Sequence, residues 1–181
     1  MGKGMFRIGT GLDVHAFAQG RKLILGCVEI DHPRGLMGHS DADVLAHAAT
    51  DAILGALGRR DIGFHYPPDD PAWKDCPGRR FLADMRRLLA EADWELVNLD
   101  AVVVAERPRL SPYIPEMIRR MSAALGVEPD QVSIKAKTSE ELGFLGREEG
   151  ILAQAVVLLH RLEPSLPGGS PQNNIHKSDP D

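Results

Sequence analysis

Two kinds of hydrophobic periodicity follow one another irregularly along the chain, and their order limits the folds that are open to it. Strand-like runs are predicted at 6–12, 22–30, 96–105, 131–137 and 151–159. Helical stripes are predicted at 40–57, at 78–93, and from Ser111-Pro112 to a stop at Gly126. The resulting order, ββααβαββ, lacks the strict strand–helix alternation of a wound parallel sheet. We therefore predict an α+β domain, an α/β sandwich in which a mixed sheet lies on one side and helices lie on the other.

Length and composition agree with a single domain. The chain has 181 residues, of which 43% are hydrophobic and 26% are charged, so it is long enough to bury a core. After Leu162 the sequence becomes rich in Pro, Gly, Ser, Asn and Asp, and it has too few apolar residues to offset its ordering entropy. We predict a folded domain over residues 1–162 and a disordered tail over residues 163–181.

Charge and cysteine content argue against several classes of protein. The formal net charge is −5, which gives no support for a nucleic-acid partner. No apolar run approaches the roughly 20 residues of a membrane-spanning helix, and the amino-terminal residues lack the apolar core of a signal peptide. Only two cysteines are present, and they do not form a CxxC pair. We expect a cytoplasmic protein with free thiols and without a membrane partner.

Asp13-Val14-His15 is the first candidate for a site with chemistry. In an extended strand, residues two apart point to the same side, so the carboxylate and the imidazole are presented together. His47, in the first predicted helix, supplies a third ligand for a zinc-like site with one open position. A turn aspartate with two histidines that bond the backbone explains the short D-x-H pattern equally simply.

The residues around the first helix allow further roles. Asp51, one turn after His47, could orient the His47 ring as a hydrogen-bond partner. Ser40 is predicted as the N-cap of this helix. His39 and the free amides of the helix start could hold an anion, although a plain capped loop fits the same residues.

Two later segments carry groups that suit phosphate or nucleotide binding. From Lys135 to Gly143 the chain offers amine, hydroxyl and carboxylate groups, which can contact phosphate oxygens or a hard divalent cation. An ordinary helix cap at 139–141 is the competing interpretation, and Arg147 fits either an anion contact or a solvated charge. The proline-marked loop 105–112 could present backbone groups to a base edge, or it could simply connect a strand to a helix.

Taken in order, these motifs resemble the 2-C-methyl-D-erythritol 2,4-cyclodiphosphate synthase family over nearly the whole chain apart from the tail. The segments that carry the resemblance are Asp13-Val14-His15, His39-Ser40-Asp41, 47–52, Asp61-Ile62-Gly63 and 135–150. The resemblance implies a homotrimer with active sites between neighbouring subunits, acting in non-mevalonate isoprenoid biosynthesis. The implied reaction converts 4-diphosphocytidyl-2-C-methyl-D-erythritol 2-phosphate to 2-C-methyl-D-erythritol 2,4-cyclodiphosphate and CMP.

The resemblance also implies a role for individual residues. Asp13, His15 and His47 would bind Zn²⁺, and Glu140 would hold Mg²⁺ or Mn²⁺ together with the substrate phosphates. His39 and Thr138 would be catalytic, stabilising the transition state. The implied substrate-binding residues are Asp13, Val14, His15, His39, Ser40, Asp61, Ile62, Gly63, Tyr66, Asp70, Ala105, Pro108, Arg109, Leu110, Ser111, Lys137, Thr138, Ser139, Glu140, Phe144 and Arg147.

Some positions depart from the pattern of the family. Pro68 follows Tyr66-Pro67 where members often have an aspartate, and Lys137 stands where many have threonine. Two other functions remain open from the sequence. One is a zinc phosphohydrolase that uses the same three ligands, and the other is a non-catalytic trimer that binds a metal or a nucleotide.

Overall fold

The structure is a computed structural model that describes residues 5–163. Its strands are β1 (Phe6–Gln19), β2 (Leu23–Leu25), β3 (Val28–Ile30), β4 (Arg34–Leu36), β5 (Trp94–Val104), β6 (Val132–Lys137) and β7 (Gly150–Arg161). Its α-helices are α1 (Val44–Leu57), α2 (Ile62–His65), α3 (Gly78–Glu91), α4 (Ile114–Leu125) and α5 (Gly143–Gly146). Short 3-10 turns lie at Pro71–Trp73 and Pro129–Gln131. The predicted tail, apart from Glu163, lies outside the described residues.

Five of the strands form one sheet in the order β4-β1-β7-β5-β6. The β5–β6 pair is parallel, and the other pairs in this sheet are antiparallel. β2 and β3 make a separate two-stranded hairpin. The predicted α+β domain with a mixed sheet is therefore confirmed.

The helices cover one face of this sheet because their apolar residues recur at helical spacing. α1 is apolar almost all round, and it packs against β1 and β7. α3 and α4 each bury one apolar stripe, as predicted. The stripe of α3 includes Phe81, Met85 and Leu89, and that of α4 includes Met117, Met121 and Leu125. From β7, alternate residues point into the same core, and they are Ile151, Ala153, Ala155, Val157 and Leu159.

Two glycines of β1 allow α1 to lie unusually close to the sheet. A Cβ atom on Gly9 would lie 1.9 Å from the carbonyl oxygen of Ala52, and one on Gly11 would lie 2.1 Å from that of Ala48. Any side chain at these positions would therefore overlap the backbone of α1. The next two residues on this side of β1 are Asp13 and His15, so the close approach brings both side chains to the helix.

The opposite face of the sheet is open, and it is mostly apolar along β1. Alternate residues of β1 point away from α1. The exposed hydrophobic residues among them are Phe6, Ile8, Leu12 and Val14, and β7 adds Val156. Ile8 is 73% exposed. Within residues 5–163, no other element covers these side chains.

Several element boundaries differ from the sequence prediction. β1 extends to Gln19 instead of ending near residue 12, because β7 and β4 supply pairing partners along its whole length. The predicted strand 22–30 is broken into a hairpin at Gly26 and Cys27, where φ is positive (56° and 64°). Residues 34–36 form the edge strand β4, which is not among the strands predicted from the sequence.

The start of α1 also differs. The N-cap is Asp43 and not Ser40, since the Asp43 carboxylate accepts from the backbone amide of Ala46 at 3.1 Å. That carboxylate is fully buried, and it also accepts from the amides of Gly26 at 2.8 Å and Cys27 at 2.6 Å. Asp43 thus joins the tip of the β2–β3 hairpin to the start of α1.

Two sequence expectations concern cysteines and membrane helices. Cys27 and Cys76 are free thiols, as expected. Over the described part of the chain, no helix is long and apolar enough to cross a membrane.

Candidate metal centre

Three side chains from β1 and α1 converge at the helix-covered face of the sheet. Oδ2 of Asp13 lies 3.0 Å from Nε2 of His15 and 2.9 Å from Nδ1 of His47. The two ring nitrogens are 3.2 Å apart. The strand alternation and the helix position predicted from the sequence are therefore confirmed for this group.

These three donor atoms form a triangle whose size suits one metal ion. With zinc–ligand bonds of about 2.0–2.1 Å, the edge of a tetrahedral coordination shell is about 3.3 Å. The three measured separations lie within a few tenths of an ångström of that edge. Among residues 5–163, this is the one group of three potential ligands whose donor atoms all lie within 4.8 Å of one another. One carboxylate and two imidazoles are a donor set that zinc accepts, with a fourth position left open.

Hydrogen bonds fix which nitrogen of each ring faces the triangle. Nδ1 of His15 bonds the carbonyl oxygen of Met37, which leaves Nε2 as the inward-facing nitrogen. Nε2 of His47 lies 3.1 Å from Oγ of Ser40, which leaves Nδ1 facing inward. Such outer contacts orient ligating imidazoles and select their tautomer.

The partner of His47 differs from the one expected. Asp51 does not contact the ring, because its Oδ1 accepts from the backbone amide of Ile62 at 2.6 Å. It therefore anchors α2 to α1. Ser40, expected as a helix cap, supplies the contact to His47, and its hydroxyl also accepts from the amide of Ala42 at 3.1 Å.

The electrostatics of the group favour an ionised carboxylate. Burial opposes ionisation of Asp13, but hydrogen bonds from His15 and His47 outweigh it and hold the pKa of the carboxyl well below its usual range. Burial likewise opposes protonation of His15. The hydrogen bond and charge of Asp13 outweigh that effect and raise the pKa of His15 above its ordinary 6.5. A cation bound here would take the place of the proton on the ring.

A cavity of about 240 Å³ opens beside the three ligands. Besides the ligands, the predicted site residues that line it are His39, Ser40, Ile62, Gly63 and Tyr66. Pro68, Trp73 and Phe81 complete the wall, so the cavity is mostly apolar around a polar end. A small polar molecule with an apolar side could lie here with one end at the metal centre.

Two predicted residues lie near this cavity and cap short helices instead of lining it. Oδ1 of Asp61 accepts from the amide of Phe64 at 2.8 Å. Oδ1 of Asp70 accepts from the amide of Ala72 at 2.9 Å, and its carbonyl oxygen lies 3.1 Å from Nε2 of His39.

Seven other predicted residues gather at a second cavity of about 280 Å³. The predicted site residues that line it are Ala105, Pro108, Arg109, Leu110, Ser111, Lys137 and Thr138. Glu106 and Arg107 also line it, so three cationic side chains surround one carboxylate. No residue is shared between the two cavities, so this single chain does not bring all predicted site residues together.

Residues around the β6–α5 connection hold its loop in shape. Oγ1 of Thr138 donates to Oε1 of Glu140 at 2.6 Å, and the amide of Ser139 donates to Oε2 of Glu106 at 3.2 Å. Sequence reasoning gave no role to Glu106, whose only signal was its place in the 105–112 loop. The cap predicted at 139–141 is absent, because the N-cap of α5 is Leu142 and it makes no side-chain cap bond.

Seven predicted residues line neither cavity: Asp61, Asp70, Ser139 and Glu140, described above, and Val14, Phe144 and Arg147. Val14 and Phe144 are exposed apolar side chains. Arg147 donates to Glu149 at 2.7 Å on the surface. Their predicted contacts with substrate remain predictions.

Comparison with known proteins agrees with this arrangement. The model of the YgbB family matches residues 6–160. A 2-C-methyl-D-erythritol 2,4-cyclodiphosphate synthase from Ralstonia nicotianae is 54% identical over 157 residues, which are 87% of this chain and 94% of that protein. One from Synechococcus elongatus is 53% identical over 156 residues, which are 86% of this chain and 98% of that protein.

Solved structures are similar as well. A complex of IspF from Plasmodium falciparum with CDP has a TM-score of 0.78 and 32% identity, covering 90% of this chain and all of that one. The bifunctional IspDF from Campylobacter jejuni has a TM-score of 0.84 and 39% identity, covering 87% of this chain and 43% of that one. The chain therefore belongs to the YgbB family, the family of the 2-C-methyl-D-erythritol 2,4-cyclodiphosphate synthases.

Proposed function

We propose that this protein converts 4-diphosphocytidyl-2-C-methyl-D-erythritol 2-phosphate to 2-C-methyl-D-erythritol 2,4-cyclodiphosphate and CMP. The convergence of Asp13, His15 and His47 within a chain of this family is the observation that carries the proposal. The catalytic domain would be residues 1–162, in non-mevalonate isoprenoid precursor synthesis. The cytoplasmic location and the disordered tail expected from the sequence stay predictions.

The proposed reaction needs no protein nucleophile. The 2-phosphate oxygen attacks the β-phosphorus of the diphosphate, and CMP leaves with the electrons of the broken P–O bond. A phosphate monoester is already largely dianionic at pH 7, so the attacking oxygen needs little help from a base. The main obstacle is electrostatic, because one anion must approach another and charge spreads over the transferring group.

Holding the substrate in a folded conformation is the main task of the chain's own residues. Proximity of this kind can lower a barrier by on the order of 7–11 kcal/mol. Asp61 and Gly63 would meet the erythritol part, and the 105–111 loop would take the cytidine part. Arg109 and Lys137, which line the second cavity, offset negative charge on the phosphates. His39 and Thr138 would donate hydrogen bonds to the transition state.

Two divalent cations are part of the proposal. Asp13, His15 and His47 would hold Zn²⁺, and Glu140 would hold Mg²⁺ or Mn²⁺ together with phosphate oxygens. When bound, such ions supply positive charge that stabilises the developing negative charge of phosphoryl transfer. Mg²⁺ usually takes only one or two carboxylates from a protein and its other ligands from substrate and water, so a single carboxylate at Glu140 is enough for this role.

A homotrimer with shared sites is also proposed. Two observations support it: the metal centre and the basic cavity have no residue in common, and the open face of the sheet exposes apolar side chains along β1. Covering that face with further copies of the chain would remove exposed hydrophobic area, and it would let a neighbour's basic cavity complete each metal centre. Mixing Asp13→Ala subunits with Arg109→Gln subunits would then restore part of the activity, since some sites would combine two intact halves. Mixed oligomers without any regained activity would contradict shared sites.

Phosphorus NMR tests the proposed reaction directly. Purified protein with Zn²⁺, Mg²⁺ and the cytidyl substrate should give the signals of a cyclic diphosphate and of CMP. His47→Ala should abolish both products, whereas the matched control His32→Ala should not, because His32 bonds the carbonyl oxygen of Arg34 at 2.7 Å and lines neither cavity. In ¹⁸O-labelled water, cyclisation leaves the products unlabelled. A linear phosphate that carries the label would instead identify a phosphohydrolase.

A further inference from the structure

A third cavity, of about 510 Å³, lies away from the two that the proposed function uses. It is bounded by the β1–β2 turn, the β2–β3 hairpin, the start of α3 and the side of α4. It shares no lining residue with the metal-centre cavity or with the basic cavity of the 105–111 loop. Its volume lies in the range of small-molecule sites.

Four cationic side chains from these separate elements line the cavity: Arg21, Lys22, Arg79 and Arg120. Three of the four are arginines, whose planar guanidinium groups match phosphate oxygens in pairs. The proposed reaction uses none of them.

Three carboxylates, those of Glu29, Asp41 and Asp75, line the cavity beside the four cationic side chains, so its lining carries a net charge of +1. Glu29 pairs with Lys22 at 2.8 Å, so these two charges offset each other. Asp41 is turned toward the backbone, where its two oxygens accept from two amides at 2.8 and 3.1 Å. Asp75 is exposed, and it lies 3.9 Å from Arg21, which is a loose contact.

The guanidinium groups are held in different ways. Arg21 donates to the carbonyl oxygen of Ser40. Arg120 donates to the carbonyl oxygen of Cys27 at 3.0 Å and pairs with Glu116. Arg79 has no hydrogen-bond or ion-pair partner among residues 5–163. Two anchored arginines and one without a partner therefore face the same cavity. An incoming anion can bind Arg79 without first breaking a strong ion pair there.

The amino end of α3 also lies at the cavity, since both Pro77 and Arg79 line it. The carboxylate of Asp41 accepts from the amide of Gly78, the first residue of this helix, at 2.8 Å. Asp41 therefore already complements the positive end of the helix dipole, and the arginine side chains are the groups left for an incoming anion.

We propose that this cavity is a second anion site, which binds the phosphate groups of a small phosphorylated molecule apart from the proposed active site. Arg79 and Arg120 are its main ligands, and Arg21 completes its wall.

Neighbouring arginines provide matched controls. Arg119 and Arg120 both bond Glu116, but only Arg120 lines the cavity. Arg79 and Arg80 are adjacent at the start of α3, but only Arg79 lines it. Each pair of variants to glutamine therefore removes the same charge from the same helix.

Isothermal titration calorimetry with inorganic pyrophosphate, on protein freed of metals by a chelator, measures the binding. We expect Arg79→Gln and Arg120→Gln to weaken the affinity at least tenfold, and Arg80→Gln and Arg119→Gln to change it less than twofold. Arg109→Gln should leave this binding in place, because Arg109 lines a different cavity. Equal losses in both members of each pair, a loss with Arg109→Gln alone, or no binding by the wild type would overturn the proposal.

A diffraction experiment decides the location without any variant. Crystals soaked in tungstate, a tetrahedral oxyanion with a strongly scattering atom, should show a peak between Arg79 and Arg120. Peaks confined to the cavity of the 105–111 loop, or to the surface, would refute the site. Failure of this proposal leaves the cyclisation test unaffected, because that test measures products at the other two cavities.

Discussion

Replacing Gly11 by alanine should damage the metal centre from a distance. Gly11 is a strand residue with no role in binding, and it lies two residues before Asp13 on the same side of β1. A Cβ atom there would lie 2.1 Å from the carbonyl oxygen of Ala48 and 2.7 Å from the amide nitrogen of Ala52. Both of these atoms belong to the backbone of α1, so no side-chain rotation can relieve the overlap.

The size of the effect follows from these distances. A carbon and an oxygen that do not bond approach to about 3.2 Å, so α1 must move away from β1 by about 1 Å. A metal site tolerates errors of only about 0.2 Å in its ligand distances. His47 would move with α1 while Asp13 and His15 stay on β1. We therefore expect the affinity for zinc to fall at least tenfold, which is comparable to the loss of affinity when a hydrogen-bond partner of a metal ligand is removed. Overpacking should also cost about 1–3 kcal/mol of the free energy of unfolding.

Zinc affinity can be measured by competition with a chromophoric chelator, and stability by urea denaturation of the metal-free protein. Gly55→Ala is the matched control, because a Cβ atom at Gly55 meets nothing closer than the carbonyl oxygen of Thr10, at 3.6 Å. Gly55 lies inside α1, so its replacement should leave zinc affinity unchanged and should stabilise the helix by up to about 1 kcal/mol. A Gly11→Ala protein with the zinc affinity and the urea midpoint of the wild type would show that the close approach does not set the ligand geometry.

Three further predictions concern neighbouring residues. Ser40→Ala should weaken zinc binding about 10- to 100-fold, because it removes the contact that orients the His47 ring, and it should cost about 1–3 kcal/mol of the free energy of unfolding, because the buried amide of Ala42 loses its acceptor; unchanged affinity in the chelator competition would count against this. Asp43→Ala should lower the free energy of unfolding by about 3 kcal/mol or more, because it leaves three backbone amides without their acceptor; a urea midpoint like that of the wild type would contradict it. In metal-free protein, the Asp13–His15 pair should stabilise fully between pH 3.8 and 6.5, since the pKa of Asp13 is lowered and that of His15 is raised. This stabilisation should fade as the pH rises through the raised pKa of His15 or falls through the lowered pKa of Asp13, and Asp13→Asn should remove both trends from the melting temperatures.

Local patterns were sufficient to predict much of the fold. The stripes of α3 and α4 and the buried runs of β5, β6 and β7 have the periods of their elements, and the structure keeps them within about two residues. The length of β1 could not be predicted in this way, because residues 13–19 are stabilised as a strand by partners distant in sequence. The hairpin of β2 and β3 depends on Asp43, which acts across 16 or 17 positions.

The candidate site, like the fold, could be predicted only in part from local sequence patterns. Asp13 and His15 could be paired by strand alternation alone, whereas His47 required either the structure or the family resemblance. Asp51 was predicted to orient His47 because the two lie one helical turn apart. The structure turns Asp51 toward α2 and places Ser40 at the ring instead, a choice that depends on how the loop before α1 folds back.

The open apolar face of the sheet affects how the protein behaves at low concentration. A lone chain would keep Ile8 and Leu12 in water, and their hydration weakens the folded state relative to one in which copies shield them. If copies do shield them, mass action makes the melting temperature rise with protein concentration. Dilution would then lower the melting temperature of the wild type. Charged substitutions at Ile8 would lower it in the same way even in concentrated samples.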